Sequence, residues 1–268
     1  MTYLSFLLIF LVLPLLGLSL LTLLDARWDK VWFTSRAGKL AAGALLVHVA
    51  LAVAYTTPWD NYLVATRVWW YDPARVLGIT FGWVPLEEYL FFVLQSCLTG
   101  LLLFALMRRM PLTDSAINDN SLRLPSALAI AGWWLISLII LALGWKPGTY
   151  LGLELAWALP PIGLQLAVGA DILWRYRRSV FITLASVTLY LCAADCLAIN
   201  AGVWTIDPAQ SLNVFIGGVL PVEEIVFFLL TSTLVVFGLT LALAPETWEQ
   251  WAQFKAALRR RVMIQEKA

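Results

Sequence analysis

Apolar residues along this chain gather into runs separated by short polar stretches, and seven of the runs reach the ~20 residues that a helix needs to cross a hydrocarbon core of ~30 Å. They lie near residues 2–24, 37–55, 84–107, 126–144, 150–170, 180–200 and 217–244. The pattern predicts an all-α membrane protein with seven transmembrane helices. No basic residue precedes the first run, and Asp25, Arg27 and Trp28 follow it without a small-residue cleavage site, so it reads as a span and not as a removed leader.

The runs are not independent. Pro14, Gly17, Asp25 and Trp28 of the first recur as Pro160, Gly163, Asp171 and Trp174 of the fifth, all offset by 146. Around the ends of the second and sixth, Tyr55, Asp60, Val68 and Trp69 recur as Tyr190, Asp195, Val203 and Trp204, offset by 135, and Asp72-Pro73-Ala74 recurs as Asp207-Pro208-Ala209. One inserted residue later, VPLEEYLFF at 84–92 returns as LPVEEIVFF at 220–228. A three-span unit is used twice. The fourth run, with Trp133 and Trp134, has no counterpart. Three spans plus one make an even number, so both units enter the membrane from the same side and are parallel, related by an approximate two-fold along the membrane normal. The expected organisation is two parallel three-helix repeats joined by an extra helix: a first repeat over 1–110, a linker and connecting helix over 111–148, a second repeat over 149–245, and a basic amphipathic tail over 246–268.

Composition agrees with the pattern, at 61% hydrophobic, 13% charged and a mean hydropathy of +0.82, well above the roughly half apolar content of soluble domains. The net charge of +1 hides an asymmetry. Arg67, Arg75 and Lys146 fall on one side of the spans, and the other fifteen of the eighteen Lys and Arg residues on the opposite side. Cytoplasmic loops retain basic residues, so a multi-pass protein of the cell membrane is expected, N-terminus outside and C-terminus in the cytoplasm. The tail, with Trp248, Trp251, Phe254 and Leu258 on one stripe, suits anionic lipid, and nucleic acid is not an expected partner. Cys97, Cys192 and Cys196 lie within spans without metal-ligand spacing, and His48 is the single histidine, so no metal is expected.

The chemistry gathers at the repeated acids, Glu87 and Glu88 in one unit and Glu223 and Glu224 in the other. Proline with glutamate in the first turn is an ordinary helix start, favoured by the macrodipole. The surroundings are not ordinary. The apolar run 76–107 would measure ~48 Å as one helix, too long for a straight crossing, and Glu88 lies ~30 Å before Arg108, at the outer hydrocarbon edge behind an apolar flap. A charge at membrane depth costs ~2.5–3.5 kcal/mol, less near the edge, against ~0.3–1 kcal/mol from the dipole. The acids must therefore be protonated, paired or partly hydrated, and a carboxylic acid kept protonated in an apolar pocket is a proton donor.

Adjacent helical residues point ~100° apart. Glu88 shares its stripe with Phe92, Gln95 and Thr99, and Glu224 with Phe228 and Thr231; Glu87 faces with Phe91, Leu94 and Leu98, and Glu223 with Phe227, Leu230 and Leu234. The first acid of each pair is thus expected to be the donor and the second to orient it. Phe91, Phe92, Phe227 and Phe228 offer ring faces to a carbocation. Trp69 and Trp204, with Asp60 and Asp195, are further candidates for substrate binding. Among Trp59, Trp69, Trp70 and Trp83, some are expected to roof a pocket and the others to belong to an interfacial belt. Arg67 and Arg75 of the first unit, replaced by Gly202 and Gln210 in the second, are expected to leave the first pair more often ionised.

At these motifs the chain resembles the membrane-embedded lycopene cyclases, found as two small subunits or as one fused chain and marked by Pro-x-Glu-Glu or Pro-x-Glu-Asp. The resemblance runs through TPWDNYLV at 57–64, VPLEEYLFFVLQ at 84–95 and VLPVEEIVFF at 219–228, and the duplicated layout covers nearly the whole chain. It implies a redox-neutral isomerisation of lycopene or a related linear carotene. An acid protonates the terminal double bond of a ψ end, an internal double bond closes on the cation, and proton loss leaves a β-ionone ring. The bilayer and other carotenoid enzymes are the further partners it implies. No G-x-G-x-x-G occurs, so no flavin or nicotinamide cofactor is expected. A carotenoid hydratase, capturing the same cation with water, and a proton-coupled transporter remain alternatives.

Overall fold

The computed structural model describes residues 1–28, 35–110 and 120–265, with side chains for 1–24, 35–110 and 121–256. The described residues form seven helices long and apolar enough to cross a membrane, Tyr3–Leu24, Arg36–Ala65, Leu86–Arg109, Arg123–Ala142, Lys146–Arg175, Arg177–Asn200 and Val222–Leu243. A further helix, Pro245–Gln265, follows them. The protein is an integral membrane protein of the all-α class. The second helix runs ten residues beyond the expected end of its span, so Trp59 and Asp60 stand on helix and not in a loop. The linker 111–119, the side chains of the tail from 257 on and those of Asp25 and Trp28 lie outside what is described.

The repeat is visible in reciprocal bonds. Strands Trp69–Tyr71 and Trp204–Ile206, which follow the second and sixth spans, pair antiparallel with Trp70 opposite Thr205. Asp72 N–H donates to the Val203 carbonyl and Asp207 N–H to the Val68 carbonyl, at 3.1 and 2.8 Å. The Tyr55 hydroxyl reaches the Trp157 carbonyl and the Tyr190 hydroxyl the Phe10 carbonyl, at 2.8 and 2.9 Å. Each unit thus grips the other in the same way. The third and seventh spans, which carry the acids, pack on each other, the second packs on the seventh and the sixth on the third. The fourth packs along the fifth and leaves Leu128, Trp133, Leu135 and Ile139 exposed, a peripheral place that fits its lack of a counterpart.

Two one-residue differences between the units have structural explanations. Tyr3 and Phe10 correspond to Tyr150 and Trp157 at an offset of 147, whereas Pro14 onward corresponds at 146. The extra residue is taken up by a π-helical turn, Leu8–Val12, in the first span. Before each acid pair comes a short hairpin, Thr80–Phe81 with Val84–Pro85 and Phe215–Ile216 with Leu220–Pro221. The first turns through Gly82-Trp83 and the second through Gly217-Gly218-Val219, so the inserted residue lies in the turn. Gly82, Gly217 and Gly218 have φ of 69°, 62° and 75°, the left-handed values that such turns require. These hairpins are the apolar flaps, with Ile79, Phe81, Trp83, Phe215 and Ile216 exposed. Pro85 and Pro221 are the N-caps of the acid-bearing helices and not their first residues.

Candidate active site

The hairpins place the acids. Leu86 N–H donates to the Ile79 carbonyl and Val222 N–H to the Val214 carbonyl, locking each helix start to its flap. Glu87 Oε1 accepts from Leu77 N–H at 2.6 Å, and Glu223 Oε1 accepts from Leu212 N–H at 2.7 Å and from the Ser211 hydroxyl at 2.9 Å. The first acid of each pair therefore holds the outer loop. The second faces the interior: Glu88 and Glu224 line one small cavity of about 40 Å³. It is thus the second acid of each pair, and not the first, that meets the cavity. The reason is the loop, which wraps over the first acid and shields it.

Tyrosines complete this cavity. Tyr3 and Tyr71 both donate to Glu88 Oε2, at 2.5 and 2.9 Å, and Tyr150 donates to Glu224 Oε1 at 2.7 Å. Tyr3 and Tyr150 are corresponding residues at the heads of the first and fifth helices. Each is pinned by its own N–H, to the Arg75 and Gln210 carbonyls respectively. Tyr71 corresponds to Ile206. It ends the strand Trp69–Tyr71 outside the spans, where burial, and then the charges of Asp60 and Glu88, raise its phenol well above the ordinary 10.0, so it stays an O–H donor.

Of the residues expected to bind substrate, Phe91, Phe227, Phe228, Trp69, Trp204 and Asp195 line the central cavity. Phe92 instead lines a neighbouring chamber of about 260 Å³ between the second, third, fifth and seventh spans, and Phe227 is the wall common to both. Asp60 lies outside both linings, buried beside Glu88. Both oxygens of Asp60 and of Asp195 lack a hydrogen-bond partner, as do Glu87 Oε2 and Glu223 Oε2. The tryptophans split. Trp59 stacks on Trp157 and Phe227, with ring centroids at 4.5 and 6.0 Å, and meets Trp69 edge-on, while Trp83 is exposed. Across the bundle the Gln95 amide donates to Thr231, joining the two acid-bearing helices at 2.8 Å.

Arg67 and Arg75 do not reach the acids. Arg75 bonds Asp72 and the Met1 carbonyl, and Arg67 lies over the Trp70 ring. Arg67 has φ of 62° and its counterpart Gly202 has φ of 68°, so this exchange alters a turn and not the site. His48 bonds the carbonyl one turn back, at Ala44, and lines the larger chamber.

Sequence reasoning missed Tyr3, Tyr71, Tyr150 and above all Glu154. Glu154 is 1% exposed, stands one turn beyond Tyr150 on the fifth span, and has no hydrogen-bond partner for either oxygen. Its counterpart at the offset of Tyr3 and Tyr150 is Leu7. A carboxylate inside an apolar span is itself a functional signal. The tyrosines carried none, being ordinary aromatics at helix or strand ends.

Carboxyl groups and aromatic rings close on one small cavity within a bundle of seven long apolar helices. The sequence profile of the lycopene cyclase family matches residues 1–107 and 147–246, leaving out the fourth span, and the chain belongs to that family. It is 40% identical over 240 residues to a lycopene beta-cyclase of Halobacterium salinarum, covering 90% of this chain and 95% of that protein. It is 35% identical over 209 residues to a bifunctional lycopene cyclase/phytoene synthase of Podospora anserina, covering 75% of this chain and 35% of that one. A bifunctional protein of the same name from Gibberella fujikuroi is 34% identical over 203 residues, 73% of this chain and 34% of its own length. No solved structure gives a significant match.

Proposed function

We infer that this protein is a lycopene β-cyclase with one reaction centre between its halves. The observation that carries this reading is the joint lining of one cavity by Glu88 and Glu224, with Phe91, Phe227, Phe228, Trp69 and Trp204 around them. Identity to lycopene beta-cyclases along nine-tenths of the chain favours ring closure over hydration or transport. Glu224 is the acid. Its O–H gives a proton to the terminal double bond of a ψ end, and the internal double bond attacks the tertiary cation. Glu88 takes the ring proton. Glu88 accepts from two phenols on one oxygen where Glu224 accepts from one, which holds Glu88 in place as the acceptor of the pair. Aromatic faces hold the cation between the two steps. Protons in and out balance, and no electrons are transferred.

The chamber of about 260 Å³ takes the folded end group. It falls just below the ~300–1,000 Å³ of drug-sized sites, enough for an end of the carotene and not for the whole chain, which lies among the lipids. Because Phe227 walls both spaces, its ring must turn aside for the end group to meet the acids. The exposed apolar hairpins and the basic tail fit a membrane orientation with the acids at the outer edge and the C-terminus in the cytoplasm. The test is expression in a lycopene-accumulating host with pigment chromatography of the parent and of Glu87→Gln, Glu88→Gln, Glu223→Gln and Glu224→Gln. β-Rings in the parent and their loss in Glu224→Gln and Glu88→Gln are expected; unimpaired cyclisation in all four variants overturns the mechanism.

A further inference from the structure

At the end of the bundle away from the acids, a groove of about 440 Å³ opens between the fourth, fifth, sixth and seventh spans. The fifth contributes Leu166, Ala170 and Leu173, the sixth Val180 and Leu184, and the seventh Phe237. At ~1.5 Å per helical residue its walls run ~10–12 Å, from Arg177 to Leu184 and from Trp174 to Leu166, most of the ~15 Å of hydrocarbon in one leaflet. Pro125 and Ser126 at the start of the fourth span add a wall that the first unit lacks, since that span has no counterpart there. Arg177 is the one charged residue in this lining. Its Nη1 donates to the Trp174 carbonyl at 3.1 Å, and its guanidinium lies 5.0 Å from the centroid of the exposed Trp174 ring, at the interface end of the groove. Nearby cations are already matched: Arg123 pairs with Asp171 and Arg175 with Glu246. Among the described residues no carboxylate pairs with Arg177 or with Arg178 beside it, and at the offset of 135 these two stand where the first unit has Ala42 and Gly43.

We propose that this groove is a site for one anionic phospholipid, with an acyl chain along the apolar walls and the phosphate on Arg177. Both parts of the ligand follow from the lining. A free phosphate leaves the apolar walls empty, and a carotene leaves the guanidinium without an anion. Guanidinium N–H groups form a fork that suits phosphate oxygens, and only Nη1 is engaged, on the Trp174 carbonyl. Ser126 does not compete for the phosphate, because its hydroxyl is committed to the Leu122 and Arg123 carbonyls. Basic pockets between membrane helices are recognised sites for anionic head groups. A zwitterionic lipid offers the same chain and phosphate but carries its own cation, which competes with Arg177 and Arg178 for that phosphate. The occupant also backs the larger chamber from outside. Leu166 and Phe237 of the groove pack in one cluster with Trp157 and Leu234, which line that chamber. A lipid bound there holds the folded bundle together by mass action.

The full chain is purified in micelles carrying equal amounts of phosphatidylglycerol and phosphatidylcholine with the same acyl chains, and the lipids it retains are counted by native mass spectrometry. One phosphatidylglycerol per chain is expected, preferred over phosphatidylcholine by about tenfold, as suits a charge-assisted hydrogen bond. Arg177→Gln, a change at the bundle surface, should bring that ratio close to one, and Arg177→Lys should recover part of it. Leu184→Trp fills the groove and should abolish the retained lipid with Arg177 intact, in a protein whose circular dichroism shows the helices formed; if it does not fold, Arg177→Gln decides alone. Lys255→Gln, in the tail and outside the lining, should leave the ratio as in the parent. Phosphatidylglycerol should raise the Tm of the parent above its value in phosphatidylcholine, and should not do so for Arg177→Gln. Equal retention of the two lipids by the parent overturns the proposal. So does a parent-like ratio in Arg177→Gln, or parent-like retention in a folded Leu184→Trp, since the lipid is then held elsewhere. Displacement of the phosphatidylglycerol by an equal concentration of lycopene also overturns it, making the groove a carotene site.

Discussion

In the first half of the molecule Glu88 accepts from two phenols, Tyr3 and Tyr71, while in the second half Glu224 accepts from Tyr150, with Ile206 standing where Tyr71 does. Glu154 approaches the second acid from the fifth span, and Leu7 occupies that place in the first. The loops differ too: Ser211 adds a side-chain donor to Glu223, where Glu87 has a backbone N–H. The motif itself is the same in both halves. What differs is the shell packed on it, so two copies that began as equals can divide acid from base without any change in the acids themselves.

The sharpest way to break this comparison is to neutralise each inner acid in turn. Glu224→Gln is expected to lower ring formation in lycopene-loaded vesicles by roughly 10²- to 10⁴-fold, the contribution of a general acid. Glu88→Gln should cost less, because the aromatic faces still stabilise the cation and another carboxylate can accept the proton. Equal losses would remove the division of labour.

Next come the outer acids. Glu87→Gln and Glu223→Gln keep a carbonyl oxygen to accept the Leu77 and Leu212 N–H groups, so rates within about tenfold of the parent are expected, a net hydrogen bond being worth only about 0.5–1.5 kcal/mol. A larger loss in Glu87→Gln than in Glu88→Gln would return the donor role to the first acid. Tyr71→Phe removes one of the two donors on Glu88. Hydrogen bonds to charged groups contribute about 1.5–3 kcal/mol, and with Tyr3 still in place a fall of roughly tenfold in initial rate is expected, at unchanged protein level. The smallest effect belongs to Ser211→Ala. Leu212 N–H continues to hold Glu223, so denaturant unfolding should show a loss of about 1 kcal/mol and activity should stay near that of the parent.

Much of this architecture can be read along the chain. Seven apolar runs at the length of a bilayer, the offsets of 146 and 135, and the unmatched fourth span define the bundle and its duplication. Span ends were less legible. The second helix continues through Pro58 to Ala65, because its polar residues Trp59, Asp60 and Asn61 find partners or burial within the bundle rather than in water. The inserted residue near 82–83 is visible in the sequence but not as a lengthened hairpin turn, and the offset change at 10–14 came to light only with the π-turn, since one extra residue can be absorbed in several local geometries.

The sequence by itself determined that four glutamates stand at the heads of two equivalent membrane helices, beside phenylalanines and behind apolar flaps. Hydrophobic periodicity and helix-start chemistry are local, and they report which residues share a face. Tertiary structure alone decided which acid of each pair meets the cavity, because that depends on a loop folding back over Glu87 and Glu223. It also decided that Glu88 belongs with Tyr3, and Glu224 with Tyr150, across 85 and 74 residues of chain. Contacts at such separations follow from how the spans pack, and no local pattern encodes them.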